Sequence, residues 1–134
     1  MRKNKIQLAV GILVLMLVSL ACEFSASTAN IKDAYLARDE AGSAKTTIFA
    51  QDDLFFCIVQ LANAPDDTTV KAVWYAVNAE GVEPNLLIDE YSITTDDGLI
   101  PFSLSNNMLW PLGTYKVELY LNDKLDRTLE FEVR

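Results

Sequence analysis

The chain has 134 residues, room for one domain, and carries 11 Lys plus Arg against 19 Asp plus Glu, a formal charge of −8. It contains no histidine, which excludes a Ser-His-Asp or Cys-His nucleophile, a His-ligated zinc and an imidazole base. The acidic balance speaks against a nucleic-acid partner, whose affinity rests on Lys and Arg neutralising phosphates.

The chain opens with Arg2, Lys3 and Lys5, followed by an apolar run over residues 8–18 broken only by Gly11. Small residues Ser19 and Ala21 then lead to Cys22. A positive end, a short apolar core and a small-residue site in this order mark a secretory signal, and the run is too short to span a bilayer securely. The stretch Val18-Ser19-Leu20-Ala21-Cys22 resembles the bacterial lipoprotein box, although Ser19 stands where Leu is more usual. The resemblance implies that residues 1–21 are a signal peptide removed by a peptidase and that Cys22 carries diacylglycerol on its sulfur. Residues 22–30 are then the lipidated cysteine and a short tether, small and polar through Ser25-Ala26-Ser27-Thr28-Ala29-Asn30. Each buried acyl methylene contributes about 0.8 kcal/mol, and the two or three chains the resemblance implies hold where a single chain only visits. The expected location is a lipid anchor in the cell membrane or outer membrane, on the extracytoplasmic side. An uncleaved N-terminal anchor helix, or ordinary signal cleavage near Ala26, also fits these residues. Without the first 21 residues the charge balance is 8 − 19 = −11 over the remaining 113.

Residues 31–134 show strand-like segments and no run of helical period. Residues 32–38 and 46–49 read as the halves of an interrupted first strand. Residues 54–61 are apolar on both faces apart from Gln60, as in an interior strand. Residues 70–77 are β-branched and aromatic and include Trp74, and 85–93 and 99–104 are shorter candidates. Turn signals separate them at Ala64-Pro65-Asp66-Asp67, Glu80-Gly81, Asp96-Asp97-Gly98 and Pro111-Leu112-Gly113. In the last pair, Tyr115, Val117, Leu119 and Leu121 alternate with Lys116, Glu118 and Tyr120. After the turn Asn122-Asp123-Lys124, Leu125, Leu129, Phe131 and Val133 alternate with charged residues, with Arg127 on the inward parity at the sheet end. Period-two alternation with one charged face predicts an antiparallel hairpin over a core. The fold class expected is all-β, an antiparallel sandwich of about seven strands preceded by the signal or anchor helix.

Gly113-Thr114-Tyr115-Lys116-Val117 resembles the tyrosine-corner region of immunoglobulin-like domains, fibronectin type III-like ones included. The resemblance implies that Trp74 is the buried tryptophan of strand C, that Cys57 is the inward cysteine of strand B and that Val117 replaces its partner. Cys57, Trp74, Tyr115 and Val117 are therefore expected in the core, with no inter-sheet disulfide and Cys57 packed as a small hydrophobe. A Cys22–Cys57 disulfide belongs only to the non-lipidated alternative. Tyr75 and Tyr120 are expected on outer sheet faces.

The acidic doublets Asp52-Asp53, Asp66-Asp67 and Asp96-Asp97 raise the question of calcium, but the first two fall at opposite ends of one strand and none has a spaced loop pattern, so solvated turns are expected and no metal. No cofactor, catalytic residue or enzymatic activity is expected. Trp110, with Asn106 and Asn107 beside it, offers two readings: an exposed indole stacking on a sugar ring, or a core cover fixing the loop before the tyrosine corner, the second being favoured. The function expected is a non-enzymatic, membrane-anchored module that binds an envelope protein or acts as a spacer. The rivals are a carbohydrate- or cell-wall-binding module using Trp110 and a structural subunit of a larger envelope complex.

Overall fold

In a computed structural model, residues 28–65 and 67–134 are described; the signal or anchor helix, Cys22 and Asp66 lie outside them. Eight strands follow in order: β1 (Asn30–Ala37), β2 (Ile48–Phe49), β3 (Phe55–Ala62), β4 (Thr68–Ala79), β5 (Leu86–Thr95), β6 (Gly98–Leu104), β7 (Gly113–Leu121) and β8 (Lys124–Val133). They form two sheets, β1-β3-β6 and β2-β8-β7-β4-β5. All pairings are antiparallel except β2 with β8. The two halves of the expected first strand thus exist but divide between the sheets, β1 on one and β2 on the other.

Alternation decides what faces inward. Phe55, Cys57, Val59 and Leu61 of β3 meet Val70, Ala72, Trp74 and Ala76 of β4 and Tyr115, Val117 and Leu119 of β7 in one buried cluster. Phe55 is its hub, stacked on Trp110 at 4.5 Å and edge-on to Phe49, Tyr115 and Phe131. Such ring pairs add about 0.5–1.5 kcal/mol each beyond the area they bury. On the outer face of the larger sheet, Lys71 lies over Tyr120 and Lys116 over Tyr75, so both tyrosines face outward.

The last hairpin needs one correction. Leu125 does not share the inner face of β8. The register shifts so that Leu119 pairs with Arg127 and Tyr120 with Leu125, leaving Asp126 as the extra residue of a bulge. The extra residue turns Leu125 to the outer face, where it is 53% exposed. Arg127 keeps its inward parity at the rim and spans the sheets, donating from Nη2 to the Ile31 carbonyl at 2.7 Å and from Nε to Asp126 at 2.7 Å.

Candidate functional site

The loop between β6 and β7 decides what Trp110 is for. Its indole is only 4% exposed. The indole N–H donates to the Asp53 carbonyl at 3.0 Å, the Trp110 amide donates to the Gln51 carbonyl at 2.9 Å, and Gln51 Nε2 returns a bond to the Trp110 carbonyl at 2.9 Å. Burial and the stack on Phe55 leave this ring too little exposed surface to stack on a sugar, and the sugar-stacking reading of Trp110 is corrected: this indole covers the core and pins its loop to the start of β3. Asn106 and Asn107 stay exposed. The Tyr115 hydroxyl donates to the Pro111 carbonyl four residues upstream, which closes the corner.

Cys57, Trp74, Tyr115 and Val117 all lie in the core. Burial pushes the Cys57 thiol up to about 12 from an ordinary value near 9. An unfolded thiol ionises from about pH 9 while the folded one keeps its proton, so this part of the stability is complete below pH 9 and is lost as pH rises through 12. A disulfide-exchange reagent at pH 8 is expected to leave Cys57 untouched in the native protein and to react with it within the dead time once guanidinium unfolds the chain. Rapid native reaction at Cys57 contradicts the packing. Burial also raises the Tyr115 phenol to about 12.

Asp53 and Asp97 lie at opposite ends of β3. Asp53 precedes β3 and accepts the Ala50 amide, whereas Asp97 beyond its other end accepts the Ala64 amide. Among the described residues no three His, Cys, Asp or Glu groups are placed to hold a metal ion.

Exposed apolar side chains gather on the side of the sandwich where β5 and β6 form the sheet edges. Leu86, Tyr91 and Ile93 pair with Ala76, Ala72 and Val70, so they share the inward parity of β4. The opposite sheet ends at β6, and part of this inner face has no strand over it: Tyr91 remains 63% exposed with Phe102 at its edge. A bulge at Ile88 shifts the register between Trp74 and Tyr75 and turns Leu87 to the outer face, 52% exposed. Beside the start of β5 opens a cleft of about 310 Å³, walled by Val82, Leu86 and Ile88 against Ser105, Asn106 and Pro111, with Trp110 and Tyr115 beneath. Met108, 75% exposed, and Leu109 extend the apolar surface along the adjoining loop. Of the three residues named for ligand binding, Asn106 reaches this cleft as a polar wall, Trp110 contributes only buried surface, and Asn107 is not among the lining residues.

The arrangement of sheets can be set beside solved structures. An immunoglobulin-like protein from Pseudomonas aeruginosa superposes with a TM-score of 0.53 at 14% identity, over 79% of this chain and 96% of that one. The fold is immunoglobulin-like. The same immunoglobulin-like body matches the C-terminal domain of wzt, with a TM-score of 0.52, 12% identity and coverage of 81% and 75%. It also matches part of the alkylpurine DNA glycosylase AlkC of Pseudomonas fluorescens, solved bound to abasic-site DNA, with a TM-score of 0.51, 14% identity, and coverage of 82% of this chain but 31% of that one. No family model and no curated protein matches the sequence. At these identities the likeness concerns the fold, which hosts many functions.

The β5 side was not singled out from the sequence. The signal that points to it is a stretch without cations: from residue 72 to 115 there are six acids (Glu80, Glu83, Asp89, Glu90, Asp96 and Asp97) and no Lys or Arg.

Proposed function

We propose that the protein is a non-enzymatic, membrane-anchored extracytoplasmic lipoprotein whose sandwich is a protein-binding module of the cell envelope. The observation that carries this reading is the separation of the two ends of the body. At one end, the Thr28 hydroxyl donates to the Asn63 carbonyl at 3.1 Å, just past β3. Phe55, at the other end of that eight-residue strand, is about 23 Å away at the usual rise per residue. The cleft, Met108 and Leu109 belong to the Phe55 end. Cys22 precedes Thr28 by six residues, a reach of about 20 Å when extended. A lipid on Cys22 therefore attaches the body from its Asn63 end, the end away from the apolar cleft.

Metabolic labelling with a fatty acid tests the anchor. The wild-type protein is expected to take up label and the Cys22→Ala variant to lose it. Unlabelled wild-type protein, or label that survives the substitution, contradicts the lipoprotein reading.

A further inference from the structure

We propose that the free edge of β5 accepts an extended segment of a partner protein as an added strand, and that this segment alternates apolar residues with lysine or arginine. The inference rests on the binding role proposed above and gives it a surface and a partner chemistry.

A sandwich of two open sheets has four edges, and exposed edges invite pairing unless something blunts them. Three of the four are blunted or short here. On β1, the Ile31 carbonyl takes the Arg127 guanidinium, the Leu36 carbonyl takes the Thr46 amide at 3.1 Å, and Lys45 bridges to Ala37. Pro101 interrupts β6 with a residue that has no N–H to offer. β2 is two residues long. β5 runs for ten residues, and among the described residues the one group on its free side that is held is the Glu90 N–H, by the neighbouring Asp89 carboxylate at 2.9 Å. That bond shows the Glu90 amide pointing away from β4, and the two-residue period sends the amides of Ser92 and Thr94 the same way.

Side chains set what the added strand must look like. On the inner side it meets Leu86, Ile88 and Tyr91 and the mouth of the cleft, which calls for apolar residues at every second position. On the outer side it meets Glu90, which lies in one row with Val73 and Glu118 across the sheet. Asp89, paired with Trp74, has the inner parity next to the bulge, and its carboxylate turns to the Glu90 N–H at the edge. With Glu90 on the outer face and no cation between residues 72 and 115, the outer positions call for Lys or Arg. The same charges disfavour a second copy of this chain: edge-to-edge pairing of two β5 strands sets Asp89 and Glu90 against their own kind, and directly opposed like charges destabilise a strand pair.

The probe is a short amidated peptide alternating lysine with valine, offered to the full-length chain in detergent micelles at physiological salt, beside a peptide of the same composition with all lysines first. The alternating peptide is expected to slow hydrogen exchange of the Glu90, Ser92 and Thr94 amides at least about tenfold, and the block peptide to leave them unchanged. Ser92→Pro, which removes an amide facing away from β4, is expected to abolish the protection, and Glu90→Lys to weaken binding about tenfold. If Ser92→Pro fails to fold, Glu90→Lys decides. Equal binding of both peptides, protection outside β5, or indifference to these substitutions overturns the proposal. So does slow exchange in β5 without peptide that grows with protein concentration, which assigns the edge to a second copy. An unacylated chain that still binds the alternating peptide defeats the anchor and leaves this edge standing, while an acylated chain that ignores the peptide does the reverse.

Discussion

Gly113→Ala is expected to be among the most destabilising single substitutions in this protein. A Cβ at this position meets the Asn78 carbonyl oxygen at 2.2 Å and the Ala79 Cα at 2.6 Å, both backbone atoms of β4, and Gly113 has φ +148. Neither neighbour is the end of a flexible side chain, so β7 must move away from β4 where Gly113 pairs with Ala79. Backbone strain of this kind costs about 1–3 kcal/mol, and the displaced ladder brings the loss above about 3 kcal/mol. A domain of this size melts about 4–8 °C lower for each kcal/mol lost, so calorimetry should find a fall of roughly 12–24 °C. Gly98→Ala is the matched control: its φ is +143, but an added Cβ meets nothing within 4 Å. It bears the conformational cost alone, about 1–2 kcal/mol. Equal melting temperatures for the two variants contradict the close approach of β7 to β4.

Trp110→Ala is expected to cost about 3–5 kcal/mol, the range for emptying a large buried aromatic site. The loss combines the stack on Phe55 at 4.5 Å with the indole bond to Asp53 at 3.0 Å, which leaves the Asp53 carbonyl without that donor. Asn106→Ala and Asn107→Ala, on the same loop but exposed, are expected to stay within about 0.5 kcal/mol of wild type. Denaturant midpoints separate the alternatives. A Trp110→Ala protein as stable as the asparagine variants contradicts a structural indole and returns the sugar-stacking reading to consideration.

Period-two alternation is a local signal, and what it could reach was legible. The inward set of β7 follows from it; the turns between strands follow from their Pro, Gly, Asn and Asp residues, and the placement of Cys57, Trp74, Tyr115 and Val117 in the core from the resemblance to immunoglobulin-like domains. The reason for burying Trp110 was half legible: Trp-Pro before Gly-x-Tyr reads as scaffolding, but its ring partner Phe55 lies 55 positions earlier and is found only by folding. The bulge at Asp126 was not legible, because one residue out of phase leaves the pattern of β8 intact on paper while turning Leu125 to solvent. The β5 edge escaped for a deeper reason. Tyr91 and Ile93 alternate as any half-buried strand does, Leu86 joins their face only through the bulge at Ile88, and whether that inner face is covered depends on where the other sheet stops, which is a non-local fact. The cation-free stretch around them was visible all along, but it gains meaning only once those residues are placed on one side of the body.

The anchor is the claim on which the functional account turns, because it gives the sandwich a near end and a far end. Intact mass spectrometry of the protein extracted from the membrane fraction tests it in one step. The account predicts a chain that starts at Cys22, has lost residues 1–21, and is heavier than its sequence by diacylglycerol or by diacylglycerol and a further acyl chain. A mass that retains those residues, or a mature chain with Cys22 unmodified, contradicts it.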